Sequence, residues 1–226
     1  SGGYWHNLVC DSISQLVKNN ARKRLSIKNY LKFFIVFLRF SSLKNFGTYI
    51  QLFFKGIKKK WYRSLFLDFF LHELHLKLLK TNKANFSNIF FNSIAHIQHH
   101  YFFNSEVFAD SLKKNPKWYI SENEDPLKDA LIIFNKILDD YLKIEKEYSL
   151  IIATGLRQVP YDTQKFYYRL KNHKKFFDNF NLKFEKIQEL MSRDFVIEFK
   201  TSSECDNAAK IISEIKTTDN KKLFGD

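Results

Sequence analysis

Along residues 7–80 apolar side chains recur every three to four positions, with almost no proline or glycine between them, a spacing that gathers them on one face of successive helices. Leu8, Ile13, Leu16 and Val17 share one side of a first segment. The runs Ile27 to Phe40, Phe46 to Ile57 and Trp61 to Leu79 follow, with Gly47 and Gly56 as punctuation. The period then changes. Phe86 to Asn92 is a short apolar, β-branched and aromatic run that reads as a buried strand. The stretch up to Pro126, with Asn115-Pro116 and the acidic run 121–126, reads as surface loop. Asp125 can cap, and Pro126 can open, a helix reaching about Tyr148, with Leu127, Leu131, Phe134, Ile137, Leu138, Tyr141 and Ile144 on its buried side. Leu150 to Ala153 reads as a second buried strand, ended by Thr154-Gly155. Beyond Pro160 the pattern predicts a helix over Thr163 to Phe177, a strand over Asp194 to Phe199, a helix over Ser203 to Ile215, and a strand starting at Lys222 to Phe224.

Two strands joined by a connection of dozens of residues imply a parallel pair. The expected fold class is therefore α/β, a mixed or mostly parallel sheet with flanking helices and a helical N-terminal third. The expected domains are a core over residues 1–180, carrying a helical insertion at about 7–80, and a small αβ appendage over 181–226 that is incomplete at its C-terminus. The chain starts without Met and stops just as a strand begins, which reads as an internal piece of a longer protein.

Composition narrows the classes. With 45% hydrophobic and 17% aromatic residues, 25 of them Phe, the low-hydrophobicity signature of disorder is absent. A net charge of +13 invites a nucleic-acid or anionic-membrane partner. Abundant Lys, Asn, Phe and Ile beside few Gly and Pro also fit an AT-rich coding bias, so nucleic acid is possible without being favoured, and runs such as Lys58 to Lys60 read as solvated helix faces. Cys10 and Cys205 cannot make a disulfide framework, so a reducing, cytoplasmic location is expected. No apolar run reaches the ~18 residues of a membrane span. Phe33 to Phe40, the longest candidate, is broken by Arg39.

Three of the seven histidines, His96, His99 and His100, fall within five positions just past the first expected strand, where α/β proteins place their chemistry. Imidazole is the commonest protein metal ligand, and these three could supply one or two ligands to a divalent cation, or be a core histidine with exposed neighbours. Arg157, Gln158 and Arg169 follow the second expected strand, and Arg suits an oxyanion, although Arg169 could equally pair with an acidic neighbour. His72-Glu73-Leu74-His75 has its histidines three apart rather than the four of the metalloprotease signature, and reads as a helix with surface histidines.

The order of parts resembles the alkaline phosphatase superfamily, specifically its type I phosphodiesterase and nucleotide pyrophosphatase-like branch. The carrying segments are Ala95-His96-Ile97-Gln98-His99-His100-Tyr101-Phe102, the helix DPLKDALIIFNKILDDYL, and Leu150-Ile151-Ile152-Ala153-Thr154-Gly155-Leu156, within residues 84 to 170. In that branch the first segment carries an Asp and a His for one metal, and the strand end an Asp and a His for a second, the two ions activating a nucleophile and clamping phosphoryl oxygens. The resemblance implies a metal-dependent hydrolase of phosphate or sulfate esters using zinc or manganese, with a small anionic ester as substrate. His99 stands at the metal histidine, His96 or Asn92 is a possible second ligand, and Arg157, Gln158 and Arg169 would contact the anion. The departures are Ala95 for the first Asp, and Thr154 and Gly155 for the second pair. The nucleophile would lie upstream of Ser1, and the present activity could be impaired. The competing reading is a non-catalytic basic protein that binds nucleic acid or another polyanion through its positive surface and aromatics.

Overall fold

The computed structural model describes residues 4–5, 7–11, 26–82, 84–108, 113–144, 147–154, 158–159, 169–190 and 193–224. They form two compact units, one holding the described residues up to 159 and the other those from 169 onward.

The first unit is built on helices, beginning with a helical stretch at residues 7–11. Helix α1 spans Ile27–Phe40 and is capped by the Ser26 hydroxyl, which accepts from the Asn29 amide. A short turn, Leu43–Asn45, leads into α2, Phe46–Lys58, and then α3, Trp61–Asn82. Helix α4, Ser93–Tyr101, runs into single tight turns at Phe102–Asn104 and Glu106–Phe108. Helix α5, Pro126–Leu142, starts as its sequence demands, with the Asp125 carboxylate accepting from Lys128 N and Pro126 where no amide partner is needed.

Helix α3 is apolar on nearly every side, and a helix of that kind is stable only in the middle of its neighbours. Accordingly Leu65, Phe69, Phe70 and Leu74 are buried, with α1, α2, α4 and α5 all packed on it. Val36, Phe37 and Phe40 of α1, Tyr49 and Leu52 of α2, Ile97 of α4, and Leu127, Ala130, Ile133, Ile137 and Tyr141 of α5 complete one core. At the α2–α3 corner Gly56 approaches Arg63 closely, and Arg63 Nε donates to the Gly56 carbonyl at 2.9 Å.

In the second unit α6, His173–Asp178, is capped by Asn172 and turns through Asn181, which has a positive φ of 54°. Strands β1, Lys186–Glu189, and β2, Phe195–Glu198, pair antiparallel with Ile187 opposite Ile197. Helix α7, Ser202–Glu214, opens on a reciprocal cap in which the Thr201 hydroxyl accepts from Glu204 N and the Glu204 carboxylate accepts from Thr201 N. Phe177, Leu182 and Ala208 are the buried centre, ringed by Phe176, Phe195, Ile211 and Phe224.

The α/β expectation is overturned: 59% of the described residues are helical, 5% are in strands, and the sheet is one antiparallel pair rather than a mixed or parallel one. The run over residues 86–92 is an irregular connector with Phe86 81% exposed, and residues 150–154 run without regular structure, with Ile151 84% exposed. Neither finds a strand partner among the described residues, so neither becomes a strand. The three histidines thus lie on a helix, not on a loop past a strand end. Helix α5 stops at Leu142 and leaves Leu131 exposed, its inner face being set by Ala130 and Ile133 instead. The helix expected over 163–177 lies in part outside the described residues, and the expected strand at 222–224 is a single bridge between Lys216 and Lys222.

Candidate functional site

Burying one face of α1 and α2 against α3 leaves each with a second apolar face. At about 100° per residue, Ile27, Tyr30, Leu31, Phe34, Ile35 and Leu38 form a continuous outer arc on α1, and Phe46, Ile50, Phe53, Phe54 and Ile57 form one on α2. All are exposed, as is Leu43 between the helices at 90%. Twelve large apolar side chains with roughly 100 Å² each in water come to about 1,200 Å², beyond the few hundred Å² that an unpartnered surface usually carries. Cations line one margin: Lys28, Lys32 and Arg39 follow the edge of the α1 arc, and Lys58 that of α2, with Lys59 and Lys60 just beyond. Lys58 and Lys60 make no ion pair among the described residues, whereas Lys32 pairs with Asp11 at 2.7 Å and Lys59 pairs with Glu124. Phe37 of α1 and Tyr49 of α2 meet edge-on at 4.8 Å where both helices pack on α3.

A buried carboxylate pair fixes the corner between those helices. Glu73 accepts from the Ser42 amide at 2.9 Å, from Asn45 Nδ2 at 2.6 Å and from the Tyr49 hydroxyl at 2.7 Å. Asp140 on α5 accepts from Lys44 at 2.9 Å, Lys143 at 2.7 Å and Asn45 at 3.2 Å, and faces His72 Nε2 at 3.3 Å. Ser42, Lys44 and Asn45 are all in the α1–α2 connection, so both acids hold one corner. Burial alone would raise the Asp140 carboxyl, but the hydrogen bonds from Lys143, Lys44, Asn45 and His72 hold it well below the usual carboxylate range. His72 is lowered by burial, against the pull of Asp140 and the Phe69 carbonyl. Tyr49 is raised, first by burial and then by Glu73. The His72 to His75 segment is therefore not a surface pair: His72 is fully buried, and His75 bridges the Tyr141 hydroxyl at 2.8 Å and Ser87 Oγ at 2.7 Å. The available signal was α3 itself, since a helix apolar all round must bury its few polar residues too.

Asp68 of α3 accepts the Ser93 amide at 2.9 Å and so pins the start of the histidine helix α4. His96 and His100 lie against each other, ring centroids 4.7 Å apart. His100 Nδ1 is 2.7 Å from the Tyr119 hydroxyl. His99 points elsewhere, its Nε2 3.4 Å from Gln158 Nε2, within hydrogen-bond reach in the tautomer that leaves the imidazole nitrogen bare. Asn92 contributes its carbonyl to the His96 amide at 3.0 Å and makes no side-chain cap. Arg157 lies outside the described residues. Arg169, in the second unit, donates to the Leu190 carbonyl at 2.6 Å and lies 4.0 Å from Glu189. Of the sequence-derived site residues, the structure thus brings together His99 with Gln158, and sets His96 beside His100 rather than His99. Among the described residues no three His, Cys, Asp or Glu side chains converge on a metal position, and no helix is long and apolar enough to cross a membrane. No family model, no curated protein and no solved structure matches this chain.

Proposed function

We propose that the first unit is a binding module that lies on an anionic membrane surface, with α1 and α2 in the plane of the headgroup boundary. The observation that carries this reading is the doubled apolar face of α1 and α2 with cations along one margin: Phe, Ile and Leu would enter the acyl boundary while Lys28, Lys58 and Lys60 reach the headgroups. The basic excess of the whole chain adds long-range attraction. Nucleic acid shares that charge logic, but single strands are held by aromatic faces that stack on bases. Ile27, Leu31, Ile35, Leu38, Leu43, Ile50 and Ile57 have no such use, and contiguous aliphatic surface favours hydrocarbon. Ester hydrolysis keeps one observation in its favour, the approach of Gln158 to His99.

Sedimentation of the full chain with vesicles tests the proposal. Binding is expected to vesicles containing phosphatidylserine, to weaken with salt, and to be slight on phosphatidylcholine alone. Replacing both Lys58 and Lys60 by Gln removes about 1 kcal/mol of attraction per cation, so affinity for the anionic vesicles should fall by a factor of about 10 to 30. Equal affinity for neutral and anionic vesicles, no sedimentation at all, or preferential capture by single-stranded oligonucleotide would overturn the reading.

A further inference from the structure

We infer that His96 and His100 chelate one borderline transition-metal cation of the nickel(II), copper(II) or zinc(II) class on the open side of α4. This site is independent of the membrane face. Residues four apart lie one above the other on a helix, and here the two imidazoles meet with ring planes at 64°. Both are exposed, so a hydrated ion can reach them. A histidine that holds a metal uses one nitrogen for the ion and donates from the other to a neighbour. Tyr119 supplies that neighbour: with His100 Nδ1–H donating to its oxygen, His100 Nε2 presents a lone pair. No hydrogen bond engages the His96 ring among the described residues, which leaves it free to rotate onto the same ion.

Two neutral nitrogens without a carboxylate suit nickel, copper and zinc and are poor for magnesium, calcium or manganese. With no third acidic, thiol or imidazole ligand among the described residues, water fills the remaining positions and the ion exchanges. This departs from the sequence-level expectation, in which His99 is the principal ligand: one position before His100, it is turned about 100° around the helix and faces Gln158.

Calorimetric titration of the chain with nickel(II) and zinc(II) at neutral pH reads the site, using a Cys10→Ser, Cys205→Ser background because both thiols are exposed. One ion per chain is expected. His96→Gln and His100→Gln should each abolish measurable binding, Tyr119→Phe should weaken it by about tenfold or more, and His99→Gln should leave it unchanged. Helical circular dichroism confirms that each variant folds, which their surface position makes the expected result. Loss of binding in His99→Gln with retention in His96→Gln would overturn the site. So would equal binding by the parent and the His96→Gln, His100→Gln double variant.

Discussion

Asp140→Ala is expected to destabilise the first unit by about 3 kcal/mol, a loss of charge-assisted hydrogen bonds each worth roughly 1.5–3 kcal/mol and reduced because Lys44 and Lys143 can return to water. The buried His72 cannot: its Nε2 would be left facing an empty space between α3 and α5, which is where most of the cost arises, whereas Asn45 keeps its bond to Glu73. The effect has a direction in pH. The native Asp140 carboxyl is held low, so its stabilisation is complete above the value of an unfolded aspartate, about 3.9, and is lost as pH falls through the lower native value. His72 acts in a higher window: its native affinity for a proton is depressed, so below about pH 6.5 the unfolded chain binds the proton first and stability declines. Urea unfolding near pH 7 and near pH 3 separates the two. Asp140→Ala should lie well below the parent at the higher pH, and the gap should narrow only in part near pH 3, where the native carboxyl is still ionised. An unchanged midpoint near neutrality would mean that the corner at Ser42 to Asn45 is held by something else.

The second large effect concerns binding. Phe34→Glu and Phe53→Glu sit on the outer arcs of α1 and α2, with Phe53 61% exposed, so neither removes core packing. Moving a Phe from water into an apolar phase is worth about 1.5–3 kcal/mol, of which the exposed part remains to be gained, and the new carboxylate is repelled by anionic headgroups. Each change should therefore lower vesicle affinity by about tenfold or more, and the pair by about 100-fold, with thermal unfolding nearly unchanged. Both variants would also be more soluble, since they break an apolar surface. If affinity survives in the double variant, the arcs cover something other than lipid, and self-association measured by light scattering would identify a second copy as the occupant.

The two helices at the centre of this picture were legible because their information is local. Apolar spacing set α1, α2 and α3, Asp125-Pro126 set the start of α5, and alternation from Asp194 to Phe199 set β2. The error over residues 86–92 and 150–153 has a different cause. A short β-branched and aromatic run carries strand propensity, but a strand exists only if another chain segment supplies its hydrogen bonds, and that partner is nonlocal. Neither run finds one among the described residues, and the parallel sheet built on them disappears. Strand β1 was missed for the converse reason: Lys-Ile-Gln-Glu has one apolar residue and is made a strand by its pairing with β2. At the histidines, residue type was informative and geometry was not. The sequence brings three imidazoles within five positions, but only the helical period decides that His96 faces His100 while His99 turns to Gln158. Likewise the doubled apolar face follows from periodicity combined with knowledge of what α3 covers, which no local pattern contains.

Depth in the bilayer tests the membrane-surface reading most directly. With Cys10 and Cys205 replaced by Ser, single cysteines at positions 34, 53 and 118 can carry a polarity-sensitive fluorophore. On anionic vesicles the labels at 34 and 53 should shift to shorter wavelength and be quenched by nitroxides on the lipid chains just below the headgroups. The label at 118, on another exposed surface, should stay accessible to a water-borne quencher. Labels at 34 and 53 that keep their aqueous emission while the protein is vesicle-bound would contradict docking through α1 and α2.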